Sequence, residues 1–383
     1  MRCVRVFLAM LLLASPYFGS VSVVFGQEEA RPGSTSNELA AGFHPIHEGY
    51  AAYPRVVELT DGELLATFDH RTVAGRAIGS TRSSDGGRTW GEYRPLSKDA
   101  GGVDLANAFP LQLDDGTILV ACRRNRPAAS RYRLEVHASN DQGRSWALRS
   151  ILAEGRKGLW EPLLLLMPDG TIQAYYASEE SSHPDQTIEI RVSTDRGKTW
   201  STPTTVAAKR GSRDGMPGVT RLPSGELLVV FEAQDMPPFR FILRAVRSND
   251  GGRTWPNHRE LVYRPSAPTS DRWSAGAPAI VLTRSGSLLA AFQTDERVSY
   301  HRNTRENDPR HPNYNYVRHT TLAVIRSDDG GKTWSKPSYL LGGPGDPACW
   351  NGLYSLRDGG VLVLTTHRGR VWCKRTDNAL SED

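Results

Sequence analysis

Two glutamates stand where an acidic side chain needs a reason. Glu232 ends the apolar run Leu227-Leu228-Val229-Val230-Phe231, and Glu161 lies between Trp160 and Pro162 in Leu159-Trp160-Glu161-Pro162. Two carboxylates across one pocket are the apparatus of glycosidic bond cleavage. One, kept protonated, donates to the leaving oxygen, and the other attacks the sugar or activates water. A plainer reading of Glu232 is a salt bridge to Arg213 or Arg240. Which reading applies depends on the elements that carry these side chains.

Those elements come from repeats. Five segments share the pattern S-x-D-x-G-x-[TS]-W: Ser83–Trp90, Ser139–Trp146, Ser193–Trp200, Ser248–Trp255 and Ser327–Trp334. Their Asp can accept bonds from nearby backbone N–H groups, as Asx turns do, so these conspicuous acids read as structural. A second repeat is an apolar strand, a turn with Gly and another apolar strand. Its turns fall at Asp61-Gly62, Asp115-Gly116, Asp169-Gly170, Ser224-Gly225, Ser285-Gly286 and Asp358-Gly359. Gly after Asp or Ser between apolar runs is a hairpin signal, because tight turns need positive φ. Six units of strand A, Gly turn, strand B, strand C, Asp box and strand D predict an all-β, six-bladed propeller. The sixth unit ends without an Asp box. Gly42–Tyr50 is placed to supply the missing outer strand and close the ring, since an open sheet edge is a liability.

In a propeller the starts of the A strands and the ends of the B strands meet at one mouth of the channel. Five A strands carry Pro near their start: Pro54, Pro110, Pro162, Pro217 and Pro278. Counting seven residues from each turn Gly gives the B-strand ends Asp69, Arg123, Ala177, Glu232, Gln293 and Thr366. On this register Glu161 and Glu232 come from consecutive blades and face one pocket. Glu161 is expected to have a raised pKa, from burial beside Trp160 and the charge of Glu232. Glu232 is expected to be kept ionised by a nearby cation or several donors. Candidate substrate-binding residues are Arg55, Asp69, Arg123, Trp160, Tyr176, Glu179, Arg213, Asp214 and Trp350. Trp160, Tyr175, Tyr176 and Trp350 are candidate sugar platforms, with ordinary blade packing as the alternative. Asp214 either binds a sugar hydroxyl or pairs with Arg213. Residues 296–319 form a long polar insertion in blade five, the length of a lid or binding wall.

The Asp boxes resemble those of the sialidase superfamily. Tyr53-Pro54-Arg55, Leu159-Trp160-Glu161-Pro162, Arg213-Asp214-Gly215-Met216-Pro217, Val230-Phe231-Glu232 and Ala275-Gly276-Ala277-Pro278 more particularly resemble glycoside hydrolase family 93, the exo-1,5-α-L-arabinanases, over about residues 50–370. The resemblance implies retaining hydrolysis of linear arabinan from its non-reducing end with release of arabinobiose. It matches the acid/base to Glu161 and the nucleophile to Glu232. Sialidases are the enzymatic alternative. They hold the substrate carboxylate with three Arg and use a Tyr nucleophile supported by a Glu. Their Arg-Ile-Pro motif is absent, the matching place reading Pro54-Arg55-Val56. Arg55 and Arg123 are candidates for two of the three, and Tyr354 for the nucleophile unless strand alternation buries it. A third reading is a non-catalytic propeller that binds glycans or proteins, against which both intact carboxylates argue.

The ends and the composition bound the rest. Arg2 and Arg5 precede an apolar run from Val6 to Ala14, and small residues lead to Gly26. That is the plan of a secretory signal peptide over residues 1–26, too short in its apolar part to span a bilayer. The expectation is a secreted or periplasmic protein with a linker over 27–41, a catalytic propeller over 42–376 and a tail over 377–383. Loss of the signal removes two Arg and no acid, taking the net charge from +5 to +3. The basic residues are scattered, so neither nucleic acid nor a membrane is an expected partner. The partner is an oligosaccharide or polysaccharide, the expected state a monomer, and neither cofactor nor metal is called for. Of Cys122, Cys349 and Cys373, the last two are candidates for a bridge.

Overall fold

The computed structural model describes residues 42–376, apart from 73–74, 100, 182–184, 237–239, 267–272 and 298–315. The expected signal, linker and tail, and most of the 296–319 insertion, lie outside the described residues. Six four-stranded antiparallel sheets follow one another along the chain, with no α-helix among the described residues. The inner A strands are Ala51–Glu58, Asp104–Gln112, Leu159–Leu166, Asp214–Arg221, Ala275–Leu282 and Ala348–Ser355. Each packs on its two neighbours, and the last touches the first. The chain is a six-bladed β-propeller.

Closure comes from the N-terminal side, as the incomplete sixth repeat predicts. His44–His47 is the outer strand of blade six and pairs antiparallel with Arg370–Thr376, His44 opposite Cys373 and His47 opposite Val371. The edge left by the missing strand D is thereby covered.

The core lies between blades. Leu113, Leu119 and Leu134 of blade two, for example, pack on Leu159, Leu164 and Ile172 of blade three. The Asp-box tryptophans seal such seams: Trp90, Trp146, Trp200, Trp255 and Trp334 each pack on the cluster their blade shares with the preceding one. Blade six has no box, and its seam with blade five is filled by Phe43 and Trp372. The box Asp makes turn bonds. Asp85 accepts from the N–H groups of Arg88 and Thr89 at 3.0 and 2.9 Å and from the Thr89 hydroxyl at 2.5 Å. These bonds hold its carboxyl at about 2, below the usual range.

The three described cysteines are free and buried. Cys349 and Cys373 lie on the first and third strands of blade six with Val361–His367 between them. Cys349 is level with Thr366 and Cys373 with Leu364. Two strand spacings amount to about 9.5 Å, beyond the reach of a disulfide. The candidate bridge is therefore absent. Cys373 instead donates its thiol to the Gly87 carbonyl of blade one at 3.1 Å.

Candidate active site

Every inner strand carries a β-bulge near its start, and in each bulge one non-glycine residue adopts positive φ. These are Tyr53, Asn107, Glu161, Met216, Ala277 and Trp350, one per blade. Such a conformation costs ~1–3 kcal/mol and persists only where its surroundings enforce it. Pro follows directly in four cases, at Pro54, Pro162, Pro217 and Pro278. An unpaired bulge tolerates a residue without an N–H. Pro110 differs, standing two places further along. Tyr53, Met216, Ala277 and Trp350 pack together around the axis. Glu161 belongs to this ring, its Oε2 lying 3.4 Å from the Met216 N–H of the next blade.

The B-strand ends secure the ring. The counted residues pair across the sheet with the residue just before each bulge, Glu232 with Gly215 and Ala177 with Trp160, for instance. Four of them accept the bulge N–H of the following blade. Asp69 takes it from Asn107 at 2.8 Å, Glu232 from Ala277 at 2.7 Å, Gln293 from Trp350 at 2.9 Å and Thr366 from Tyr53 at 2.9 Å. Arg123 cannot accept and bonds the Asn107 side chain instead. Ala177 has no polar group, and Glu161 itself approaches the Met216 N–H.

Glu161 and Glu232 thus come from adjacent blades at one mouth, each partly exposed. Burial raises the carboxyl pKa of both. At Glu161 the charges of Arg123 and Arg213 and the Met216 N–H oppose the rise. Glu232 is pushed up to about 7, first by burial, then by the charge of Glu161, against the Ala277 N–H and Arg213. This departs from expectation. No salt bridge from Arg213 holds Glu232 ionised, because that guanidinium is engaged at 2.9 Å by Glu179 and at 3.6 Å by Asp185. Arg123 and Arg213 both act on Glu161 and only Arg213 on Glu232, so the nearby cations do not single out Glu232 as the ionised member.

The other candidates divide. Trp160 stays at the mouth, its indole N–H bonded to Glu179 at 2.9 Å and its ring under the Arg123 guanidinium at 5.1 Å. Glu179 joins Trp160 to Arg213 through one oxygen. Arg123 is paired with Asp104 at 2.9 Å. Asp69 is partly exposed and raised to about 7, chiefly by burial. Trp350 is partly exposed in the ring. Three residues are placed elsewhere. Tyr176 is buried in the core between blades two and three, its hydroxyl on Glu189, and so offers no sugar platform. Tyr175 is buried likewise, against Gln173. Asp214 is buried in a two-pronged pair with Arg259 at 2.6 and 2.9 Å, not with Arg213, and cannot reach a sugar. Its neighbour Gly215 faces Glu232, and alternation along the strand turns Asp214 the other way. Arg55 lies just below the ring, bonded to the Pro54 and Trp350 carbonyls and stacked on Tyr53. Tyr354 is four places past the ring, packed among Val57, Leu59 and Leu65.

Sequence reasoning missed Tyr53, Asn107 and Gln186. Their signals were faint: a residue before Pro, an Asn that tolerates positive φ, and nothing local for Gln186. The Gln186 side chain is buried at the mouth with its Oε1 lacking a hydrogen-bond partner. Beneath the ring, the axial channel encloses about 380 Å³ between Tyr53 and Met216 at one end and Asp114 and Arg357 at the other, and neither Glu161 nor Glu232 lines it. The candidate site is the mouth above.

Relatives share this frame. The chain's fold is similar to that of an α-L-arabinanase of Penicillium chrysogenum complexed with arabinobiose, with a TM-score of 0.65 at 22% identity over 89% of this chain and 99% of that one. It is also similar to the family 93 α-L-arabinofuranosidase of Fusarium graminearum in complex with arabinobiose, with a TM-score of 0.68 at 19% identity over 88% and 98%. In sequence, a sialidase of Micromonospora viridifaciens is 28% identical over 161 residues, which are 41% of this chain and 24% of that protein. The BNR/Asp-box repeat matches residues 325–336. The BNR repeat-like domain matches residues 51–310, and the chain belongs to that family.

Proposed function

We propose that this chain is a glycoside hydrolase, a retaining, exo-acting arabinanase that cleaves α-1,5-L-arabinan with Glu161 as acid/base and Glu232 as nucleophile. The observation that carries the reading is the pair itself: two partly exposed carboxylates on adjacent blades at one mouth, each raised by burial, with the charge of Glu161 raising Glu232 further. Burial favours the protonated form of both carboxyls, so the pair can carry the proton the reaction needs. A leaving glycosidic oxygen beside Glu161 draws the proton there, and the ionised Glu232 then attacks the anomeric carbon. Water later resolves the glycosyl-enzyme with Glu161 as base. Glu232 Oε2 is held by Ala277, which leaves Oε1 for the attack. Trp160 and Trp350 offer apolar faces to the sugar. The arabinobiose bound by the fold relatives supports an arabinan substrate.

Two placements favour this reading over sialidase chemistry. A sialoside carboxylate calls for a cluster of uncommitted guanidiniums, yet Arg123 and Arg213 are paired with acids and Arg55 lies under Trp350. The position in blade six that faces the mouth is Trp350, whereas Tyr354 lies four places further on, partly buried against Val57, Leu59 and Leu65 and lining the channel beneath the ring. The test is a substrate panel of linear arabinan, an aryl arabinofuranoside and a fluorogenic sialoside. Arabinobiose released from arabinan with retained configuration is expected. Turnover of the sialoside alone, or of none, overturns the proposal.

A further inference from the structure

The residue before each bulge is Ala52, Ala106, Trp160, Gly215, Gly276 and Cys349 around the ring. The two glycines are the two that flank Glu232: Gly215 pairs with it across the sheet, and Gly276 precedes its hydrogen-bond donor Ala277 in the next blade. Neither glycine has positive φ, so the backbone does not require them. Space does. A Cβ on Gly276 would lie 2.6 Å from Glu232 Oε2, and one on Gly215 would lie 3.2 Å from Oε1 and 3.0 Å from Gln186 Nε2. Asp69, one methylene shorter, makes the same N–H bond between Ala52 and Ala106, where a Cβ fits.

We infer that Gly276, assisted by Gly215, is a positioning residue: the missing Cβ seats the longer carboxylate of Glu232 with Oε2 on Ala277 and Oε1 turned to the mouth. The inference rests on the proposed role of Glu232. A side chain at position 276 pushes Oε2 off the Ala277 N–H and turns the attacking oxygen away, and a displacement of about 1 Å costs roughly 10²-fold in rate.

The experiment uses the full chain. Gly276→Ala is expected to lower kcat on an aryl arabinofuranoside about 10²-fold with KM within about threefold and Tm little changed. Gly215→Ala, with its softer contacts, is expected to lose less, and it serves as the test should Gly276→Ala fail to fold. A structural role alone predicts no kcat-against-KM split. The cycle is completed in Glu232→Ala, where azide supplies the nucleophile: adding Gly276→Ala there should leave the azide-dependent rate unchanged, because the group it displaces is gone. If both glycine variants keep kcat, or if the azide-dependent rate falls in parallel, the inference is overturned while the role of Glu232 stands. If Glu232→Ala itself keeps full turnover, the proposed function falls first.

Discussion

At its rim and at its axis, this propeller handles carboxylates in opposite ways. On the rim, five Asp boxes repeat sequence and geometry together. Each Asp accepts several turn bonds, and its acidity is strengthened. At the axis the geometry repeats but the residues do not. Six bulges with positive φ carry Tyr, Asn, Glu, Met, Ala and Trp, and the B-strand ends differ as widely. There burial dominates, and Asp69, Glu161 and Glu232 are made weaker acids. Repetition marks what builds the ring. Variation on a repeated frame coincides with the proposed site, and burial is what weakens the acids there.

The largest effect that could break this contrast is expected at Glu232. Glu232→Gln should abolish turnover of arabinan and of an aryl arabinofuranoside alike, without loss of fold, because Gln293 shows that an amide serves equally well to hold a bulge N–H. Near-wild-type rates in Glu232→Gln would remove the axis from the mechanism. Next comes Glu161→Ala. General acid catalysis contributes about 10²–10⁴-fold, and the variant should lose that on arabinan. It should lose far less on an aryl arabinofuranoside, whose leaving group needs little protonation, and azide should partly restore it. Equal losses on both substrates would assign Glu161 another role.

Stability sharpens the contrast through opposite pH signs. The carboxyl of Glu232 rises from 4.5 to about 7 on folding, so the folded state holds the proton more tightly and stability falls as pH climbs between those values. Asp85 is lowered from 3.8 to about 2, so its contribution is present above 3.8 and is lost as pH falls toward 2. Glu232→Gln should therefore raise Tm at pH 8 by about 2 °C or more, with the gain closing by pH 5. An unchanged or lowered Tm at pH 8 would contradict the buried-acid account.

The smallest effect is expected on the rim. A hydrogen bond nets about 1 kcal/mol, whereas fully burying one Leu or Val is worth about 1.5–3, so the seams hold the ring more firmly than any one box. Asp85→Ala should lower Tm by about 1–2 °C and leave kcat of the folded enzyme untouched. Loss of kcat at constant Tm would place an Asp box in the chemistry.

How much of this was legible in the sequence follows the same division. The blades, their turns and the closing strand rest on local signals, Gly turns and Asp boxes, and could be counted. Register carried Glu161 and Glu232 to one mouth because both sit at fixed distances from a Gly or Pro marker. Tyr176 and Asp214 failed for a different reason. Which face a side chain takes beside a bulge depends on where the strand's alternation breaks, and Asp214 has its partner, Arg259, 45 residues away. The partners of Arg213 and the burial of Gln186 are likewise set between segments distant in sequence.

The central claim is that Glu232 attacks the sugar. Incubation with an aryl 2-deoxy-2-fluoro-arabinofuranoside, whose glycosyl-enzyme turns over slowly, followed by peptide mass spectrometry, tests it most directly. The expected result is one fluoroarabinosyl group per chain on the peptide carrying Glu232, with none on Glu161 or any Asp box. A label on another residue, or arabinan turnover with Glu232 never labelled, would contradict it.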